Sequence, residues 1–344
     1  MRQPLRAALV GCGNIGARYD ERGHDGCIYT HAGMYRSLDA FDLVAAAEVD
    51  SPRRQAFQRF WQVPQMFAEH RRMLALVQPD ILSVATPDET HEEIIGDALR
   101  CEKPPRLIFC EKPLAQSVDR ARELCREAGR RRVTLCVDYV RRWDENHRRL
   151  KDWIREGGLG SLEAVNGCYV RGLSHNGCQM INLIRYLFGP VDTVRACGPA
   201  HLGSFPGDPS LDLCMMMESG LRVHLTGLDQ GGYGFSIFEL DIFGQKGRVR
   251  IVEGGQQAQV FMVRPDPQFP NFCKLHPVAF TWDKRAYGQA LIGAGRQMAA
   301  FLSGGGELAD NQAEEALADL MVIEAARASA LSGGTSQKVN HSPQ

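Results

Sequence analysis

The sequence has little that would tie it to a membrane, a nucleic acid or an oxidising compartment. Its eleven cysteines are odd in number and scattered, with no CxxC pair. Neither a disulfide framework nor a zinc site is indicated, and reduced thiols in a cytoplasmic protein are expected. No apolar run approaches the length needed to span a bilayer, and no signal-peptide core precedes the first strand. Lys and Arg number 40 against 41 Asp and Glu, a formal net charge of −1. That balance provides no field for drawing in nucleic acid or an anionic membrane. Basic runs such as Arg130-Arg131-Arg132 and Arg148-Arg149 then read as solvated helix ends. Internal repeats and low-complexity tracts are missing too. What remains is 344 residues, 44% hydrophobic and 24% charged, enough for two soluble domains with cores of their own.

Against this background one stretch is specific. The apolar run from Leu5 to Val10 enters Gly11-Cys12-Gly13-Asn14-Ile15-Gly16, a GxGxxG turn between a strand and a helix-compatible segment. Gly11 permits the tight turn, Gly13 lets backbone amides approach a pyrophosphate, and Gly16 allows the helix to pack closely on the sheet. The whole turn, Asn14 and Ile15 included, is a candidate dinucleotide cradle. A second apolar run, Leu43 to Ala47, ends in Glu48, where a carboxylate can accept hydrogen bonds from ribose hydroxyls and would repel a 2′-phosphate. NAD is favoured over NADP, although Arg53 and Arg54 follow closely and offer charge to such a phosphate. The separation of Gly11 from Glu48 exceeds the usual interval of about 20 residues. An insertion between helix and strand is therefore expected, with Asp20 to His31 the obvious segment. Its two histidines, cysteine and acids match no zinc spacing, so no metal is assigned and the segment reads as a loop facing substrate or a partner subunit.

The first part of the chain alternates strand and helix, which predicts a parallel, doubly wound sheet. Helices are expected over Pro52 to Phe60, Glu89 to Arg100 and Val118 to Ala128, and strands over Ile81 to Ala85, Leu107 to Cys110 and Val133 to Val137. Thr86-Pro87 and Glu111-Lys112-Pro113 then fall at strand C-terminal ends, where ligands bind in such sheets. Beyond about residue 140 the pattern predicts an antiparallel meander of Ser210 to Glu218, Leu221 to Leu228, Phe235 to Phe243 and Arg248 to Val252. Helices Asn176 to Phe188, Gln289 to Leu302 and Gln312 to Leu331 would cover one face of that sheet or return to the first domain. The strand Leu221 to Leu228 reads as apolar or Thr on both faces, so self-association through this sheet, as a homodimer or homotetramer, is expected, with a polar solvated face as the alternative.

In this order, the glycine turn, Thr86-Pro87 followed by His91, Glu111-Lys112-Pro113-Leu114, Asp138-Tyr139-Val140-Arg141-Arg142-Trp143, the segment Gly172 to Gly189 and the stretch Asp310 to Gly333 resemble the glucose-fructose oxidoreductase / inositol dehydrogenase / MocA family. The resemblance covers nearly the whole chain. It implies an N-terminal Rossmann domain joined to an α+β domain with a large open, mainly antiparallel sheet. The expected division is 1–138 for the Rossmann domain, 139–309 for the substrate and oligomerisation domain, 310–333 for a closing helix packed back on the Rossmann domain, and 334–344 for a flexible tail. The family mostly oxidises or reduces sugars and cyclitols with NAD(P). By resemblance, Thr86, Pro87, His91, Glu111 and Lys112 line the cofactor, Lys112 meets the substrate hydroxyl or carbonyl near the nicotinamide, and Pro113 follows a cis peptide.

The chain departs from that family where its pattern is Asp-x-x-x-His followed three residues later by Asp. Here His175, Gln179 and Asn182 stand at those places, so a glutamine replaces the usual catalytic histidine. Gln179 can hold a substrate oxygen but carries no proton at neutral pH. Either His175, one helical turn earlier, moves the proton, or Lys112 does so alone, or activity is lost. The His175-Asn176-Gly177 run resembles a subset of the family associated with nucleotide-sugar and surface-polysaccharide pathways. Arg141, Arg142 and Arg171 are candidates to grip a phosphate or carboxylate. The substrate-binding set is thus Arg142, Arg171, His175, Asn176, Gln179 and Asn182. The expected function is an NAD-dependent oxidoreductase acting on a sugar-like CH–OH group. A non-catalytic NAD-binding sensor, or an enzyme that uses NAD in a transient internal redox cycle, stands as the alternative.

Overall fold

The computed structural model describes residues 3–23, 26–201, 207–228, 237–308 and 312–340. His24 and Asp25 of the insertion, Phe235, Asp310 and the last four residues of the expected tail lie outside the described residues. Strands β1 (Leu5–Val10), β2 (Phe41–Ala47), β3 (Gln65–Phe67), β4 (Ile81–Val84), β5 (Leu107–Cys110) and β6 (Thr134–Val137) alternate with helices α1 (His31–Arg36), α2 (Ser51–Trp61), α3 (His70–Val77), α4 (His91–Arg100) and α5 (Val118–Arg131). Then come α6 (Val140–Trp143), α7 (Glu145–Arg155), β7 (Leu162–Tyr169), α8 (Cys178–Phe188), β8 (Val191–His201), β9 (Ser210–Met217), β10 (Arg222–Gly227) and β11 (Phe238–Gly244). The chain continues with β12 (Gly247–Val252), β13 (Gln257–Pro265), β14 (Cys273–Val278), α9 (Ala290–Leu302), α10 (Ala313–Leu331) and β15 (Gln337–Lys338). No helix among the described residues is long and apolar enough to cross a membrane.

These elements form two compact units, Met1–Glu145 with Arg285–Leu317, and Asn146–Lys284 with Ala318–Gln344. In the first, six parallel strands run in the order β3-β2-β1-β4-β5-β6, the doubly wound arrangement expected. Every residue of β4 and β5 is buried, as helices on both faces of a parallel sheet require of apolar runs. Polar side chains start the crossover helices. The Thr30, Asp50 and Ser117 side chains accept the backbone N–H of Gly33, Arg53 and Arg120, satisfying donors that a helix start leaves over.

The expected boundary after residue 138 is corrected. Residues 139–145 and 285–309 stay with the first unit because α9 places Leu291, Ala294, Met298 and Leu302 in the same apolar core as Leu9, Leu43 and Phe109. The closing helix is corrected as well: α10 groups with the first unit only as far as Leu317. From Ala318 onward its polar side chains are engaged in the second unit. Asp319, fully buried, accepts Arg185 Nη1 and Asn182 Nδ2, both at 2.6 Å, and Ser329 Oγ accepts the Ala196 N–H at 2.9 Å.

The second sheet has nine strands in the order β14-β13-β12-β11-β7-β10-β9-β8-β15, and it is not the simple meander expected. The strand β7, unread in the sequence, lies between β10, which it meets in parallel, and β11, which it meets antiparallel. The strand read as apolar on both faces alternates strictly: Val223 and Leu225 are buried while Arg222, His224 and Thr226 are exposed. One polar face and one apolar face is the ordinary result for such a sheet. The expected flexible tail is ordered over 337–339. Gln337 and Lys338 pair with Val194 and Thr193, and the Val339 N–H reaches Asp192 O at 2.8 Å with its side chain buried.

Removing one member of the buried Arg185–Asp319 pair leaves the other charge without compensation. Asp319→Ala is expected to lower unfolding stability by about 3–5 kcal/mol, read as a fall in the denaturant midpoint of the second unit. A loss of under about 1 kcal/mol, the size of an exposed pair, would show that water reaches Arg185 there.

Candidate functional site

Close approach of backbone defines the glycine turn. Gly11 has φ of +91°, and a Cβ on it would meet Ala85 O at 2.5 Å; a Cβ on Gly16 would meet Gly11 O at 2.2 Å. Nothing lies within 4 Å of the place where a Cβ on Gly13 would sit, so the outer edge of the turn is bare backbone. The segment after it is a single wide turn, Asn14–Arg18, and then a tighter one, Asp20–Arg22, before α1 begins at His31. The insertion therefore splits the first helix, correcting the expectation that it follows it. Asp20 holds the split together. Its carboxylate accepts the N–H of Tyr29 at 2.9 Å, and the N–H and hydroxyl of Thr30 at 2.9 and 2.6 Å.

Glu48 closes the same region from the end of β2. It is buried, and its carboxylate oxygens accept the Cys12 N–H and the Asp50 N–H, each at 3.0 Å. Arg53 Nη1 lies 3.6 Å from Glu48 Oε2 and Arg54 donates to Glu48 O, so both arginines lean on this residue. A carboxylate with two oxygens accepts about four hydrogen bonds, which leaves capacity for ribose hydroxyls. Burial pushes the Cys12 thiol far above its usual range, making it an inert filler of the turn. The bare edge at Gly13 and the carboxylate at the end of β2 fit a dinucleotide.

Around Glu111 the ladder carries the chain past the strands. The Glu111 N–H donates to Val84 O at 2.9 Å and the Asp138 N–H to Cys110 O at 2.7 Å. His31, Glu111 and Asp138 each bring a side-chain N or O into a group whose atoms lie within 4.8 Å of one another. The His31 ring is fully buried. Its Nε2 lies 3.5 Å from Glu111 Oε1 and its Nδ1 2.9 Å from Ser83 Oγ, which in turn lies 2.7 Å from the Tyr35 hydroxyl. Burial alone would raise Glu111, yet its hydrogen bond to His31 and the charges of His31, Lys112 and His91 hold its carboxyl below the usual range. Burial and the neighbouring Glu111 charge push Asp138 well above it. Lys112 follows Glu111 and is half-buried, and the Lys112–Pro113 bond is cis. His91, fully buried, joins two strand exits: Nδ1 lies 2.7 Å from Pro113 O and Nε2 2.9 Å from Thr86 O. Arg142 is buried, with Nη2 3.0 Å from Glu315 Oε2.

In the second unit, His175 and Asn176 sit on the turn Gly172–Gly177 and Gln179 on the first turn of α8, all three half-buried. Asp208 clasps that turn: its carboxylate accepts the N–H of Ser174 and of His175 at 2.9 Å, and Arg327 Nη2 reaches Ser174 Oγ at 2.7 Å and Asp208 Oδ1 at 3.2 Å. Arg171 precedes the turn, exposed and in the left-handed region at φ +69°. Asn182 is buried in α8 with its amide on Asp319. The first unit thus gathers the glycine turn with Glu48, Thr86 and Pro113 with His91, and Glu111 and Lys112 with His31 and Asp138. The second gathers His175, Asn176 and Gln179. Sequence reasoning missed Ser83, Tyr35 and Asp208 as supports of these groups. Asp138 was open to discovery as an acid at a strand C-terminal end, whereas nothing local to Asp208 announces its partners.

A parallel sheet with this glycine turn and terminal carboxylate defines a dinucleotide-binding Rossmann protein, and residues 5–139 match the model of an oxidoreductase family with an NAD-binding Rossmann fold. The matched family is the glucose-fructose oxidoreductase / inositol dehydrogenase / MocA family, and the match covers the N-terminal, sheet-forming part of the chain. Over 264 residues it is 23% identical to inositol 2-dehydrogenase of Burkholderia ambifaria (strain MC40-6), covering 72% of this chain and 74% of that one. Over 176 residues it is 27% identical to D-glucoside 3-dehydrogenase of Escherichia coli (strain K12), covering 49% and 46%, so it spans about half the length of that relative. The solved structure of levoglucosan dehydrogenase in complex with NADH and levoglucosan is similar in fold, with a TM-score of 0.80 at 17% identity over 99% and 100% of the two chains.

Asp208→Ala removes the acceptor of two backbone N–H groups in the turn that carries His175. The expected cost is about 1–3 kcal/mol, with faster hydrogen exchange at the Ser174 and His175 amides; unchanged exchange there would show that the clasp does not hold the turn.

Proposed function

We propose that this protein is an NAD-dependent oxidoreductase that moves a hydride between the nicotinamide and a hydroxyl- or carbonyl-bearing carbon of a sugar, cyclitol or nucleotide sugar. The observation that carries this reading is Lys112 at the exit of β5, beside a buried acid–histidine group, in a unit whose glycine turn and Glu48 suit a dinucleotide. The names of the relatives, which are dehydrogenases of a glucoside and of inositol, agree with it. Bound NAD supplies the hydride acceptor in oxidation and, reduced, the donor in the reverse reaction.

Lys112 accepts the hydroxyl proton during oxidation, or returns it and polarises the carbonyl during reduction. Gln179 binds a substrate oxygen through its amide without titrating. His175, with its backbone N–H fixed by Asp208, is the second group whose side chain can carry a proton. Asn176 and Arg171 read as substrate contacts. Eleven free cysteines suit the reduced cytoplasm. The glutamine at 179 supports a second reading, in which NAD is bound without net turnover, as a sensor or in an internal redox cycle.

With purified protein, NAD and a panel of sugars, cyclitols and UDP-sugars, steady NADH formation in excess over enzyme is expected. Lys112→Ala should lower kcat by at least about a hundredfold with a much smaller loss of NAD affinity by calorimetry. Near-normal turnover in that variant overturns the assignment of Lys112. Tight NAD binding with no turnover across the panel favours the sensor or internal-cycle reading.

A further inference from the structure

We infer that Glu111 and Asp138 hold one proton between them and, backed by His31, form a positioning pair that sets the proton affinity of Lys112. The inference rests on Lys112 being the proton-handling group proposed above. It gives a task to a carboxyl that the mechanism leaves unused.

Three separate elements bring the pair together: the start of α1 carries His31, the exit of β5 carries Glu111 and the exit of β6 carries Asp138. Their polar atoms lie within 4.8 Å of one another, His31 is fully buried and Asp138 is 7% exposed. Two carboxylates this close, with the Asp138 residue 7% and the Glu111 side chain 12% exposed, disfavour double ionisation, so one keeps its proton. Which one is decided by the neighbours. Glu111 has the His31 ring at 3.5 Å and accepts the Lys112 N–H at Oε2 at 3.3 Å. Asp138 Oδ1 is buried with no hydrogen-bond partner among the described residues, and the help that Trp143 and Lys112 give its carboxylate is outweighed by burial and the Glu111 charge. The charge is therefore stabilised on Glu111 and the proton rests on Asp138, in line with the opposite directions in which their surroundings push them. The other titratable groups facing the pair are Lys112, His91 and Cys110.

A pair that shares one proton presents a single negative charge to Lys112, and it does so whichever partner carries the charge. Replacing either carboxyl by its amide leaves that charge in place, because the remaining acid, freed of its neighbour, ionises. Replacing both removes it. The result is a non-additive signature that a structural role or two independent charges would not give.

The test needs no turnover. Lys112 is titrated by the pH dependence of its labelling with an amine-selective reagent, read by mass spectrometry, in the full-length wild type and in Glu111→Gln, Asp138→Asn and the double variant. Both single variants should keep the wild-type midpoint, and the double variant should fall by about one pH unit or more. Infrared spectra at neutral pH should show a protonated-carboxyl C=O band in the wild type that is missing from each single variant. The two singles give that spectroscopic answer separately, so the failure of one to fold does not remove it. A wild type without the band, or single variants that each lower the midpoint, overturns the inference. Silence in the NADH assay would count against the dehydrogenase reading alone.

Discussion

Parallel pairing decides where this protein can keep its chemistry. Every strand of the first sheet runs the same way, so each delivers the chain to the same edge, and the crossover helices return it to the opposite one. Glu48 after β2, Thr86 after β4, Glu111 and Lys112 after β5 and Asp138 after β6 therefore reach one edge, although long stretches of chain separate them. The closeness of β1 and β4 adds a second demand at that edge. The backbone at Gly11 passes so near Ala85 that no side chain fits. The glycine turn is as much a packing requirement of neighbouring strands as a place for a phosphate.

Much of the first unit was legible because its signals are local. Apolar runs of strand length, capping residues such as Asp50 and Ser117, and glycines at a strand exit each act within a few residues. The charged residues that matter there, Glu48 and Lys112, also announce themselves by standing at strand ends. The second unit was less legible because its decisive pairings are remote. Nothing near β7 states that it will meet β10 in parallel and β11 antiparallel, and the residues that hold α8 and its preceding turn, Asp319 and Asp208, lie far along the chain. The tail was misread for a related reason: two residues are too short to show a strand period, and Gln337 and Lys338 take their conformation from pairing with β8, whose backbone groups need partners.

Buried ionisable groups recur, and each is accommodated in its own way. Glu48 is answered by backbone N–H groups, Arg142 by Glu315 and Asp319 by an arginine and an amide together. Such partnerships offset the loss of hydration without necessarily adding stability, and they fix one arrangement of the elements that carry them. Asp138 differs, since burial and the Glu111 charge outweigh what Trp143 and Lys112 offer its carboxylate, which favours the neutral form. That contrast separates groups that hold the fold from one that we infer helps to set the charge beside Lys112.

The return of α9 to the first unit bears on how the chain is made. The apolar surface that Leu291, Ala294, Met298 and Leu302 cover belongs to a sheet whose last strand ends at Val137. A ribosome delivers the whole of β7 to β14 between those two events. The nucleotide-binding half must wait with part of its core uncovered while the other half is synthesised. Chaperones that shield exposed apolar surface have their longest opportunity on the half whose strands emerge first.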